Sequence, residues 1–297
     1  MLGGLERAGL DTEDFIGALS AVHRSRRDTS KSREVSRAHA YWMAGIRRRL
    51  SSSAGNVTSL QTLAAPDFYK DYYAENRPVL IEDASASHDW SFDRIRSALG
   101  DTTIEVMRGP TTDPIDPDLN PTHYRESLRL GQYIDEILAG ASPDSYLTAK
   151  NEGNARALGK VLDDFKPLPE ILPTHAEIRS KYLFMGPKGA VSPLHYDGGN
   201  AMLVEMLGSK RCILYAPHDY CFMYEGEKRV SRVDVTCPDY AAFPLFTFAF
   251  PCEVTVPPGG ALFIPAGWWH FVESLEPTLS VSMTTFRVPN SFPFDAF

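Results

Sequence analysis

From Lys181 onward the chain divides into eight short apolar runs: "KYLFMG", "SPLHYD", "AMLVEML", "RCILYA", "CEVTV", "ALFIP", "WWHFVES" and "TLSVSMTTFR". Segments of this length, rich in β-branched and aromatic residues and punctuated by "GPKG", "LGSK" and "VPPGG", read as strands joined by turns. So many strands so close together leave few architectures. A jelly roll suits them, with two antiparallel sheets closing over a pocket. The expected class is therefore mainly β with α, a double-stranded β-helix whose core spans about residues 180–287, with flanking helices.

Upstream the texture is mixed. "RPVLIED" and "TTIEVMRG" look like strands, "LGQYIDEILAG" places apolar residues at helical spacing, and "GPTTDPIDPDLNP" has too many prolines for either and reads as a loop. Residues 2–50 show a helical pattern, with Phe15, Leu19 and Val22 on one face and Tyr41, Trp42, Ile46 and Leu50 on another. "SSSAGNVTS" then breaks the chain. This divides the sequence into an N-terminal helical segment, 1–55, and a domain, 56–297.

A net charge of -8 argues against nucleic acid as the main partner, although the first 50 residues carry an excess of Lys and Arg that includes Arg47, Arg48 and Arg49. A solvated helix face accounts for that excess more simply than a nucleic-acid arm. Cys212, Cys221, Cys237 and Cys252 form no CxxC pair, so neither a zinc knuckle nor a redox motif is present, and reduced thiols are expected. The N-terminus lacks the apolar core of a secretory signal, and no window reaches membrane-spanning length. These features lead to the expectation of a cytoplasmic protein with no membrane partner.

The chemistry concentrates in "SPLHYDGGN". Residues i and i+2 of a strand project to one face, so His195 and Asp197 can reach a common point. Two ligands make an incomplete site. Non-haem iron(II) takes two histidines and one carboxylate on one face of its octahedron and leaves the other positions open. The candidate for the third ligand is His270 in "FIPAGWWHFVES", a polar residue closing a strand, turn and strand of apolar character. The histidines at 23, 39, 88, 123, 175 and 218 have no comparable setting.

Taken together, "SPLHYDGGN", "MLGSKRCILYAP" and "PGGALFIPAGWWHFVESLEPTLSVSM" resemble the Jumonji-C and cupin-like Fe(II)- and 2-oxoglutarate-dependent oxygenases, a resemblance covering roughly Arg77 to Phe286. It implies His195, Asp197 and His270 as iron ligands. Lys210 would pair with the distal carboxylate of 2-oxoglutarate, and Ser192 and Tyr146 would supply hydroxyls to it. Strand parity alone leaves Lys210 and Arg211 equivalent, since each shares a face with apolar neighbours, and the resemblance selects Lys210. Asn200 stands one place before the family's frequent asparagine, where this chain has Ala201, and Met283, Thr284 and Thr285 replace an aromatic-rich ending that helps line the pocket.

The implied reaction uses Fe(II), 2-oxoglutarate and O2 to hydroxylate an unactivated C–H bond of an amino-acid side chain, a peptide or protein, or a small metabolite. N-demethylation, RNA hydroxylation and a non-catalytic metal-binding module are the alternatives. A homodimer, if formed, would use the N-terminal helices or another surface.

Overall fold

The computed structural model describes residues 56–84, 90–109, 124–140, 144–148, 152–159, 165–173 and 181–289. The helical segment expected over 1–55 and most of the proline-rich loop lie outside these residues. Five strands precede the core: β1 (Thr58–Leu60), β2 (Val79–Ile81), β3 (Thr103–Arg108), β4 (Arg125–Arg129) and β5 (Ser145–Thr148). The eight strands read from the sequence follow as β6 (Lys181–Gly186), β7 (Val191–Tyr196), β8 (Ala201–Leu207), β9 (Lys210–Tyr215), β10 (Cys252–Val256), β11 (Ala261–Ile264), β12 (Trp269–Ser274) and β13 (Thr278–Met283).

These eight form a jelly roll. One sheet runs β6, β13, β8, β11 and the other β7, β12, β9, β10, so successive strands from β6 to β9 alternate between the two. Within the roll every pairing is antiparallel. The larger sheet extends through β2 and β1 at one edge and β5, β3 and β4 at the other, which covers edges that would otherwise be open for pairing.

Alternation along the strands gives each sheet two apolar faces. On the larger sheet Leu279, Val281 and Met283 point outward, into a core shared with Phe68 and with Tyr133, Ile134 and Ile137. These come from two of the helices, α1 (Ala65–Phe68), α2 (Phe92–Leu99) and α3 (Leu130–Leu138). In α2 the Ser91 hydroxyl caps the N-terminus by accepting from the Arg94 N–H at 3.1 Å, as expected of a serine before a helical run. Between the sheets lies a second core of Leu80, Leu203, Cys212, Leu214, Leu262 and Val272.

The outer face of the smaller sheet is covered too. A long excursion between β9 and β10, residues 217–250, seats Phe222, Met223, Val233 and Phe246 on Leu194, Ile213, Tyr215, Trp269 and Phe271. All four cysteines are free thiols. Among the described residues no helix is long and apolar enough to cross a membrane.

Candidate active site

The two histidines meet because of register. β12 runs antiparallel to β7 with His270 directly opposite His195, and the rings lie 4.1 Å apart, centroid to centroid. Asp197 follows the end of β7, its Oδ2 lying 3.9 Å from His270 Nε2. One ligand atom from each of the three lies within 4.8 Å of the others, close enough to share one divalent cation.

Backbone carbonyls set the imidazole tautomers. His195 Nδ1 lies 2.7 Å from Pro193 O and His270 Nδ1 lies 3.0 Å from Trp268 O. A carbonyl only accepts, so each Nδ1 carries the hydrogen and each Nε2 presents a lone pair. Two imidazoles and a carboxylate make a donor set that fits Fe(II).

His270 is carried in by the turn Pro265–Trp268, closed by the Trp268 N–H donating to Pro265 O at 3.1 Å. Gly267 sits there at φ 78°, a left-handed conformation that suits glycine. The turn is fastened to the segment that follows β7: the Gly267 N–H donates to Asp197 O at 3.0 Å, and the Ala266 N–H donates to Asn200 Oδ1 at 2.8 Å. Asn200, whose place in the sequence pattern is irregular, is thus a buried clamp between the two halves of the site. Trp268 anchors the turn on its other side by donating from its indole to Asn76 O at 2.9 Å.

Ser192 reaches the same face as His195 through an irregularity. Between the pairs His195–His270 and Ser192–Val272, β7 spends one residue more than β12. This bulge, at Pro193–Leu194, restores the phase that a three-residue offset would lose, and a proline fits there because it has no N–H to give the ladder. Val272 faces the inter-sheet core, and Ser192 stands across from it.

At the other end of the interior lies Lys210, 1 % exposed, opposite Ser274 on β12 and Val256 on β10. Its ammonium donates to Tyr146 Oη at 3.1 Å and to Ser280 Oγ at 2.7 Å. The Tyr146 and Phe184 ring centroids lie 5.6 Å and 5.7 Å away. Tyr146 approaches so closely because Gly186 has no side chain; a Cβ there would come within 2.6 Å of the ring.

The ambiguity between Lys210 and Arg211 resolves geometrically. Lys210 points inward with Cys212 and Leu214, whereas Arg211 points out and pairs with Glu253 at 2.7 Å and Glu273 at 3.5 Å. Arg287 lies away from the site, its Nε donating to Pro169 O at 2.8 Å.

Two differences from the sequence reading stand out. Met283 does not line the interior: strand alternation turns it to the helix-covered face with Leu279 and Val281. Ser280 does line it, a partner of Lys210 that the sequence reading passed over, although "TLSVSM" alternates apolar and hydroxyl residues in a way that marks one polar face.

The hairpin around 225–231 runs along β7. Val230 bridges to His195, the Ser231 N–H donates to Leu194 O at 2.7 Å, and Arg229 stacks over the Tyr196 ring at 5.7 Å. Lys228 and Arg229 both have positive φ, a strained turn held next to His195.

Residues 65–286 match the model of the cupin-like domain. The chain is 31% identical over 230 residues to lysine-specific demethylase 8 of Danio rerio, covering 72% of this chain and 54% of that protein. It is 37% identical over 249 residues to the Xenopus tropicalis protein of the same name, covering 76% and 52%. With tRNA wybutosine-synthesizing protein 5 of Gallus gallus it shares 26% identity over 241 residues, covering 75% and 74%. The chain spans about half the length of the two demethylase-named relatives. The jelly roll, the facing histidines and these matches agree, and the chain belongs to the Jumonji-C, cupin-like family of Fe(II)- and 2-oxoglutarate-dependent oxygenases.

Proposed function

We propose that the protein is a hydroxylase that inserts oxygen into an unactivated C–H bond of an amino-acid side chain, carried by a peptide or protein or by a small metabolite. The observation that carries this reading is the pairing, within one roll, of a two-histidine, one-carboxylate set with a buried lysine flanked by hydroxyls. His195, Asp197 and His270 would hold iron(II), which supplies oxidising chemistry when 2-oxoglutarate and O2 are present.

The chain's own residues prepare the site. Pro193 O and Trp268 O keep both Nε2 atoms free of hydrogen. Lys210 offers a fixed positive charge to a carboxylate, with Tyr146 and Ser280 already oriented toward it and Ser192 on the same interior face. A lysine buried in this way is costly without an anionic partner, which speaks for a ligand there and against a barrel that only binds metal. The Asp197 side chain is 52% exposed, so substrate reaches the metal set from that end, past the 225–231 hairpin.

N-demethylation is the same hydrogen abstraction and hydroxylation at an N-methyl carbon, followed by loss of formaldehyde, and the names of two relatives favour keeping it as the second reading. The test is succinate formation by anaerobically reconstituted protein given iron(II), 2-oxoglutarate and air, with amino acids, peptides, N-methylated peptides and tRNA as candidate substrates. A product heavier by one oxygen supports hydroxylation. Formaldehyde with methyl loss supports demethylation, and product from tRNA alone would replace both. Absence of succinate under every condition, uncoupled turnover included, would leave a binding module.

A further inference from the structure

Glu205, in β8, has no part in the reading above, yet it is 0 % exposed. Among the described residues neither of its carboxyl oxygens has a hydrogen-bond partner. Its main chain is fully engaged: its N–H donates to Gly260 O at 2.9 Å, and the Gly259 N–H donates to its carbonyl at 2.8 Å. On the adjacent strand Glu205 stands opposite Ser280, the same serine that accepts from Lys210. The unpartnered carboxyl therefore borders the lysine pocket from the neighbouring strand.

The titratable and charged groups around it come from three places: Lys210 and Cys212 on β9, Tyr146 on β5 beside Lys210, and Glu276 in the β12–β13 turn. The turn at Gly259 and Gly260, before β11, adds none. Burial holds the Glu205 carboxyl well above the usual carboxylate range, with the Lys210 charge opposing and Glu276 reinforcing.

The hydrogen bonds of Lys210 go to two neutral hydroxyls, not to an anion. A ligand carboxylate placed against Lys210 would supply that anion, and would then share a buried site with a second carboxyl group. Like charges in such a place do not coexist, so one carboxyl keeps its proton.

We propose that Glu205 is a proton-carrying member of the cosubstrate pocket, so that 2-oxoglutarate binds against Lys210 only while Glu205 is neutral. The proton comes from solvent, and no other bond is made or broken. This rests on Lys210 being the anchor for 2-oxoglutarate. Below the titration of Glu205 in the empty pocket, binding takes up no proton. Above it, one proton enters with each ligand, and affinity falls by about tenfold per pH unit.

The experiment is calorimetric titration of the Mn(II)-loaded protein with 2-oxoglutarate, from mildly acidic to alkaline pH, in pairs of buffers with different ionisation enthalpies. The expected result is uptake rising toward one proton per ligand, with affinity falling in step. Glu205→Gln should abolish the uptake attributable to this group and hold its low-pH affinity to higher pH than the wild type does. Glu205→Met provides a second non-titrating variant of similar volume should the amide misfold. A pH profile identical in wild type and variant overturns the proposal, because metal-bound water would then account for the proton. Binding that is tight and lost in Lys210→Ala, but flat with pH in the wild type, overturns this inference alone. Failure of 2-oxoglutarate to bind, or indifference of its affinity to Lys210→Ala, overturns the anchor assignment and this inference with it.

Discussion

The two faces of the smaller sheet are built from the same four strands and do opposite work. Inward, β7, β9 and β12 present His195, Lys210 and His270. Outward, from adjacent positions, they present Leu194, Arg211, Trp269 and Phe271, which meet the 217–250 excursion or exposed acidic partners. Neighbours in sequence are therefore far apart in role. The inner face gives up packing to hold polar groups, and the outer face makes good the stability with a sealed apolar layer.

Substitutions on the two faces should separate ligand binding from stability. The largest effect is expected for Asp197→Ala, which removes the sole carboxylate of the metal set: iron stoichiometry should drop toward zero and turnover with it, while thermal unfolding shifts little. Next is Lys210→Ala, where loss of a buried charge partner costs about 2–5 kcal/mol, or roughly 30- to 5000-fold in 2-oxoglutarate affinity at neutral pH. Titration of the metal-loaded variant measures this, and an unchanged affinity would reject the assignment.

On the outer face the readout changes. Ile213→Ala hollows the layer beneath the excursion and should cost roughly 2–5 kcal/mol of stability by denaturant unfolding, with 2-oxoglutarate affinity preserved in the fraction that stays folded. The smallest effect belongs to Arg211→Gln. Its carboxylate partners are solvent-exposed or partly so, and pairs of that kind contribute about 0–1 kcal/mol. A large loss of cosubstrate affinity in this variant would mean that the two faces are not independent.

A further pH dependence belongs to the ligand-free protein. Glu205 has a raised folded-state pKa, so the folded chain holds its proton where the unfolded chain has released it. Its contribution to stability is present below the ordinary carboxylate range and is lost as pH rises through the raised value. Glu205→Gln should flatten that decline in unfolding curves recorded across the same interval.

Much of this architecture is readable from the chain. The eight core strands appear where Gly and Pro punctuation places them, because turn chemistry is local. His195 and Asp197 are legible as a same-face pair, and His270 as an unusual polar residue in an apolar run.

What escapes notice depends on longer-range facts. Lys210 and Arg211 look alike because both faces of β9 are covered, one by the opposing sheet and one by the 217–250 excursion, so no hydrophobic alternation distinguishes in from out. Ser280 is obscured for a related reason: on a half-buried strand a serine between apolar residues usually faces water, whereas here that face is the interior. The route of Ser192 to the site depends on a bulge that only pairing with β12 defines. Glu205 reads as an ordinary surface acid until its neighbours are known.

The excursion also bears on how such a molecule changes over time. It leaves from the end of β9 and returns at the start of β10, and these strands pair directly, Leu214 opposite Cys252, whatever lies between them. Its length can therefore drift between those ends, but the apolar residues that cover the outer face and the 225–231 hairpin that bridges to β7 at His195 are held in place. Change over time is thus freest in the stretches of the excursion that touch neither β7 nor the outer face of the sheet.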